Sequence, residues 1–483
     1  LVPPSQRPKV TDPATACFGI AAQQLMQRPY DFNPQAIKDI LWSFSKVGIR
    51  HPALFKSITE HLIGREDDPS DNGRGLDEFS PQGLANTAWA FARQAQLADE
   101  VSNRFKGSST ISNSNGRLAA SYFDIGEVML QRLFSAIADA DFRIHGQLSK
   151  QKPQELANTA WAFAVLGLRP TVFMEEAKSQ TVARMSAYNR GERKSMTYFT
   201  GQGLANFMWT LATLNIAPND MLETVSLYLQ NVCYDKNGQL TTESIAKFLT
   251  RQALANMAWS CAVFGIYPPE MMKILYMGLV GKDHDPDYMT QVFGDSGLQT
   301  EGIMTLIYVQ AAMDCDGAND QGLTLPANFP KGWKDSSNKQ SLTDTGLALS
   351  ISTSKIQQAV SAAFSRIEFE HVDEHIINMQ ELAEDYGVNV PSTPMEILSI
   401  DIANLADKIA IEVDGPTHFV NNIDSVTDEG GYTRFINGKL EYQSGWKGDR
   451  QEINGSTALK QRLLKKLGWK TVALPFWEWN ALN

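Results

Sequence analysis

At 483 residues the chain has room for two or three domains, and its 43% hydrophobic content makes it globular rather than disordered. Four cysteines without metal-ligand spacing exclude a disulfide scaffold, and no apolar run reaches transmembrane length, so no membrane partner is expected. The net charge of -11 argues against a generic polyanion binder: residues 1–398 carry 33 Lys and Arg against 43 Asp and Glu, and residues 399–483 carry 10 against 11. The chain opens LVPPSQ without an initiator methionine, so a processed form is expected, with any targeting segment out of view.

In chain order, Ala14 to Gln27 reads as a half-unit capping a repeat array. Pro34 to Ser45 is PQAIKDILWSFS, Pro81 to Ala92 is PQGLANTAWAFA, and Pro153 to Ala164 is PQELANTAWAFA. GQGLANFMWTLA starts at Gly201, RQALANMAWSCA at Arg251, and a worn sixth copy, EGIMTLIYVQAA, at Glu301. Each of the first five holds one tryptophan (Trp42, Trp89, Trp161, Trp209, Trp259), and Tyr308 takes that place in the sixth. The spacings are 47, 72, 48, 50 and 49 residues. A unit of about 40–50 residues suits a helical hairpin, with an insertion in the long interval. The expected insertion is the polar stretch over residues 104–117, and further loops are expected at 65–80, 281–297 and 316–345.

The first helix of each unit carries its own punctuation. Asn33 before Pro34 and Ser80 before Pro81 read as caps with proline at the first helical position. Leu84, Ala88 and Phe91 form one apolar row and Ala85, Trp89 and Ala92 a second, with the tryptophans expected to pack between units. Six residues past the tryptophan stand Gly48, Gly167, Asn215 and Gly265, residues suited to a left-handed helix end. Pro52, Pro170, Pro218 and Pro268 then suit the start of an antiparallel second helix. A glutamine recurs seven residues before the tryptophan and an asparagine three before it (Asp39 in the first unit). These amides are expected to satisfy backbone in the turns between units. The alternative is contact with nucleobases, but a reading position would vary from unit to unit, and these barely vary.

The chain divides into a helical array over 1–350, a connecting helix and strand region over 351–395, and a small α/β domain over 396–483. Ile356 to Ile367 reads as an amphipathic helix, Ile397 to Ala403 alternates around Asp401, and Lys408 to Val413 is a β-like run stopped by Asp414-Gly415-Pro416. Thr457 to Leu467 reads as a helix striped by Leu459, Leu463 and Leu467, and Trp469 to Pro475 as a strand. Lys460, Arg462, Lys465, Lys466 and Lys470 make the best basic patch in the chain. Trp446, Trp469, Trp477 and Trp479 could stack bases, although Trp469 and Trp477 flank an apolar strand and are expected in the core.

IAIEVDGPTHF, from Ile409 to Phe419, resembles the signature of the RAP domain. The second hallmark is also present, in Thr457, Leu459, Lys460, Arg462, Leu463, Leu464, Leu467, Gly468 and Trp469, then Val472, Pro475, Trp477, Glu478 and Trp479. The resemblance covers roughly residues 355–483, and the segment Asn421 to Gly455 is longer than usual for the family. The upstream units resemble octotricopeptide or related organellar repeats, a pairing found in apicomplexans, dinoflagellates and algae.

The resemblance implies an α-solenoid followed by an α/β domain similar to the PD-(D/E)XK nuclease fold. It also implies a role on organellar RNA, in a mitochondrion or alternatively a plastid. The expected function is a structural component or assembly factor of a divergent mitochondrial ribosome, with rRNA and ribosomal proteins as partners. Lys460, Arg462, Lys465, Lys466, Lys470 and His418 are the expected RNA contacts, and no cofactor or metal is expected. One alternative is a factor for the stability, processing or translation of one transcript. The other is a metal-dependent nuclease using Asp401, Glu412, Asp414 and His418. Against the nuclease, Asp414 stands where such enzymes have lysine, and another cation, Lys460 or Arg462, would have to approach.

Overall fold

The computed structural model describes residues 12–65, 73–105, 125–146, 148–192, 194, 196–281, 300–318, 354–378, 396–423, 435–436, 439–440 and 451–482. The loops expected at 104–117, 281–297 and 316–345 lie mostly outside the described residues, as does Trp446.

The N-terminal region is mostly helical. After α1 (Asp12–Gln27) come α2 (Pro34–Val47), α3 (Pro52–Ile63), α4 (Pro81–Phe105), α5 (Glu127–Ile144) and α6 (Pro153–Val165). A two-residue strand β1 (Leu168–Arg169) precedes α7 (Thr171–Asn189), α8 (Gly201–Thr213), α9 (Met221–Cys233), the short α10 (Thr242–Ala246), α11 (Arg251–Phe264), α12 (Pro269–Val280) and α13 (Thr300–Cys315). The helices carrying the recurring motif, α2, α4, α6, α8, α11 and α13, pack each on the next. On their other side α1 packs on α3, α3 on α5, α7 on α9, and α9 on α12. The result is two rows of helices sharing one apolar core.

Local chemistry sets the ends of the first row. Asn33 accepts a hydrogen bond from the Ala36 amide at 2.8 Å, and Ser80 Oγ accepts one from the Gly83 amide at 3.1 Å. Thr200 and Thr250 cap α8 and α11 in the same way. Gly48, Gly167, Asn215 and Gly265 all take positive φ, between 52° and 79°, and close their helices as their spacing predicts. In the second unit Ala95 holds that position, and α4 runs on to Phe105.

The amides do not serve the turns in the way expected. Gln35 donates to Asp39, Gln154 to Asn158, Gln202 to Asn206 and Gln252 to Asn256, each at 2.7–2.8 Å within its own helix. One glutamine does reach across units: Gln154 Oε1 accepts from Thr200 Oγ1 at 3.3 Å.

The C-terminal region is α/β. It runs through α14 (Lys355–Arg366), β2 (Val372–Asn378), β3 (Glu396–Asn404), β4 (Ile409–Asp414), β5 (Phe419–Asn422), β6 (Phe435–Ile436), β7 (Lys439–Leu440), β8 (Gln451–Ile453), α15 (Gly455–Lys466), β9 (Lys470–Pro475) and α16 (Phe476–Leu482). The main sheet has the order β2-β3-β4-β9, antiparallel except for the parallel β4–β9 pair. Ile411 and Val413 point from β4 into a small core with Val360 of α14. Ala410 points the other way, into the core that Leu459, Leu463 and Leu464 of α15 share with the helical rows.

A second sheet, β1-β5-β8, crosses between the two regions. β1 belongs to the turn after α6 and pairs parallel with β5. Nothing in the sequence of either strand announces that pairing.

Candidate nucleic-acid interface

Helix α15 carries most of the expected RNA contacts, and its N-terminus fixes where they point. Asn454 caps it by accepting from the Thr457 amide at 2.9 Å. The same residue donates from Nδ2 to the Thr417 carbonyl and from its backbone to the His418 carbonyl, both at 2.8 Å. The helix start is therefore tied to the turn that leaves β4. Gly455 follows the cap where the chain nearly touches α8: a Cβ there would lie 1.8 Å from the Ala212 carbonyl oxygen.

From this start α15 lies across the C-terminal ends of α8, α11 and α13. Arg462 turns toward the array. Its guanidinium donates to the Val263 carbonyl at 2.6 Å, to the Ala262 carbonyl, and to Asp316 Oδ2 at 3.2 Å. Tyr267 donates to the same Asp316 oxygen at 2.8 Å. Ala262 and Val263 lie in the last turn of α11, where carbonyls lack helical partners and the dipole favours a cation. The left-handed Gly265 leaves room for this contact, since a Cβ there would sit 3.3 Å from Arg462 Cζ.

Lys460 also faces inward. Its ammonium pairs with Glu412 Oε2 from β4, a carboxylate only 2% exposed. Burial works against the charge on Lys460, but the Glu412 and Asp401 carboxylates outweigh it and hold the ammonium above its ordinary range. Burial pushes Glu412 up to about 7, against the pull of Lys460. Asp401 lies on β3 beside this pair and accepts from the Val413 amide at 2.8 Å. Asp414, two residues along β4 from Glu412, is buried and sits 2.8 Å from His418 Nδ1. The structure thus brings Asp401, Glu412 and Lys460 together, and pairs Asp414 with His418 beside them. Of the two cations that could partner the acids, Lys460 arrives and Arg462 does not. Among the described residues no group of three or more His, Cys, Asp and Glu side chains is placed to hold a metal ion.

The other cations face solvent. Lys465 and Lys466 are exposed in the last turn of α15, and Lys470 is exposed at the start of β9. Strand β9 is an edge of the main sheet, with Val472 half-exposed. Trp469 is buried with its ring 5.5 Å from His375, and Trp477 packs on Phe419 at 4.5 Å, so both belong to the core or its margin. Trp479 is partly buried against the Val360 cluster. His418 has a side chain about one-third exposed at the turn after β4.

The repeat tryptophans lie on the motif row. Trp89, Trp161 and Trp209 are half-buried, Trp259 is buried, and Trp42 is 37% exposed with its ring 6.4 Å from that of Trp89. The interior between units is filled by Leu84, Ala88 and Phe91 and their counterparts.

Contacts between the two regions are not legible in the sequence. Asn215 Nδ2 donates to the Ile453 carbonyl at 3.2 Å, the Asn421 amide to the Gly167 carbonyl at 2.8 Å, and Arg169 pairs with Glu452. Spacing marks Asn215, Gly167 and Gly265 as helix ends only, yet all three meet the C-terminal region. The one local hint is Gly455, a poor helix former where a helix begins.

No curated protein matches the chain. The model of the RAP domain family matches residues 411–483, from β4 through α16. That match covers the lysine-bearing helix with Glu412 and Asp414, Asp401 lying before it, and it points to RNA binding in general.

Proposed function

We propose that this chain is an organellar RNA-associated scaffold, a structural component or assembly factor of a divergent mitochondrial ribosome, with rRNA held by the RAP domain and ribosomal proteins held by the acidic helical rows. The observation that carries the RNA assignment is the division of cations on α15: Lys460 and Arg462 are committed inward, while Lys465, Lys466 and Lys470 remain exposed on the part matched by the RAP model. A rigid mount suits a scaffold, and Arg462, Gly455 and the β1–β5 pairing supply one. The ribosomal and mitochondrial setting is supported by the resemblance of the whole arrangement, helical repeats upstream of a RAP domain, to organellar RNA proteins.

The test is binding of a fluorescent single-stranded RNA by the full chain across a salt series. Replacing Lys465, Lys466 and Lys470 with alanine is expected to weaken binding at least about tenfold and to lower the log–log salt slope by about two, at roughly 0.7 per phosphate contact. Unchanged affinity and slope would remove these lysines from the interface.

A further inference from the structure

Four motif helices share one comparatively open, narrow row, in which Trp259 is the buried tryptophan. In α4, α6, α8 and α11 the residues seven before, three before and at the tryptophan are the least buried of the central turns, and nearly everything else there is core. The row reads Gln, Asn, Trp in four successive units, although solvent exposure imposes no such uniformity. In α6, α8 and α11 the glutamine Nε2 donates to the asparagine Oδ1. That leaves asparagine Nδ2 as donor in all three and glutamine Oε1 as acceptor in α8 and α11, Gln154 Oε1 already accepting from Thr200; a donor beside an acceptor is the complement of a peptide C=O and N–H. The ring beside them accepts cations: Lys46 Nζ stands 5.8 Å from the Trp42 ring centroid. Arg93 holds the position of Lys46 in the second unit, where it is buried, and Val165, Thr213 and Val263 hold it in the next three, so those three helices supply no cation of their own there.

From this geometry we infer that the Gln-Asn-Trp row is a docking track for an extended basic polypeptide. The amides hold its main chain and the half-buried Trp89, Trp161 and Trp209 take its lysine or arginine stems. The excess of acid over residues 1–398, 43 against 33, favours a basic peptide and opposes a polyphosphate chain. Uniform side chains suit a ligand whose backbone is uniform, and they carry no code for bases. Packed helices stand about 8–10 Å apart. A chain in the open polyproline-II form advances about 3.1 Å per residue with three residues per turn, so every third side chain returns to the same face at about 9 Å. The preferred ligand therefore carries a basic residue at every third position. This inference rests on the scaffold reading and deepens it by giving its protein-binding face a location and a partner chemistry.

The experiment is fluorescence anisotropy on the full chain with three probes. One is an unstructured peptide of about 20 residues with lysine at every third position, the second has the same composition with its lysines gathered at one end, and the third is a polyuridine oligomer of similar length. The spaced peptide is expected to bind about tenfold tighter than the clustered one. It is also expected to lose about tenfold when Asn86, Asn158, Asn206 and Asn256 are replaced by alanine, with polyuridine binding unchanged. Equal affinity for the two peptides in the unaltered chain would overturn the inference, and so would a loss of polyuridine binding in the asparagine variant. Failure of the lysine variant to affect polyuridine binding would sink the RNA interface proposed at Lys465, Lys466 and Lys470 while leaving the peptide comparison standing.

Discussion

Arg462 points from α15 into the end of α11. A cation in a RAP-like helix invites a phosphate, but this guanidinium lies against the last carbonyls of α11 and against Asp316. Removing it would take a charged donor from both carbonyls and leave the mostly buried Asp316 carboxylate to Tyr267. Arg462→Ala is expected to cost about 3 kcal/mol of stability, measured by denaturant unfolding of the full chain, with loss of the α15 contact visible as faster amide exchange in that helix. A change under about 0.5 kcal/mol would mean the contact is not a stabilising one.

Asp141 offers a pH-dependent counterpart inside the array. It is fully buried on α5, and burial pushes its carboxyl up to about 8, with Gln151 pulling the other way. The folded chain then holds a proton that the unfolded chain releases near its ordinary value of 3.8, so stability falls as pH rises from about 4 to about 8. Asp141→Asn is expected to flatten that part of the stability–pH curve, by an upper limit of about 5 kcal/mol at pH 8. Parallel curves for the two proteins would contradict the buried, neutral acid.

The elements separate what sequence determines locally from what it determines only through contact. Helix starts at Pro34 and Pro81 and helix ends at Gly48, Gly167, Asn215 and Gly265 are legible because a cap or a left-handed residue acts within one turn. Helix α15 and strands β3, β4 and β9 are legible from apolar periodicity and from turn residues at their ends. The placing of Glu412 and Asp414 on one face follows from the two-residue period of β4. What escapes is β1, β5 and β8, each four residues or fewer, whose partners lie on other elements. The destination of the glutamine amides escapes as well. A side chain that can reach either a turn or its own helix four residues on is undecided by sequence, and the second choice is the one made. Gly455 tests the element directly. Gly455→Ala would drive a methyl group into the Ala212 carbonyl, and the expected cost is about 1–3 kcal/mol with a shift of the α15 N-terminus. Limited proteolysis is expected to release the C-terminal region from this variant sooner than from the unaltered chain, and equal rates would mean that α15 does not sit against α8.

At the scale of the molecule, the RAP region is not a bead on a string. Its α15 face shares one apolar core with the helical rows, and its β5 extends a sheet begun in the turn after α6. The turns that end successive motif helices together form the seat: Gly167 meets Asn421, Asn215 meets Ile453, and Ala262 and Val263 meet Arg462. A rigid seat leaves Lys465, Lys466 and Lys470 exposed beside an array whose net charge would repel phosphate. The most direct test of this arrangement is ultraviolet crosslinking of the full chain to RNA in gradient-sedimented organelle lysate, with crosslinked peptides mapped by mass spectrometry. The account predicts crosslinks within residues 465–479 in fractions that co-migrate with a ribosomal subunit through high salt. Crosslinks confined to the tryptophan row of α4, α6, α8 and α11, with residues 465–479 unmodified, would contradict it.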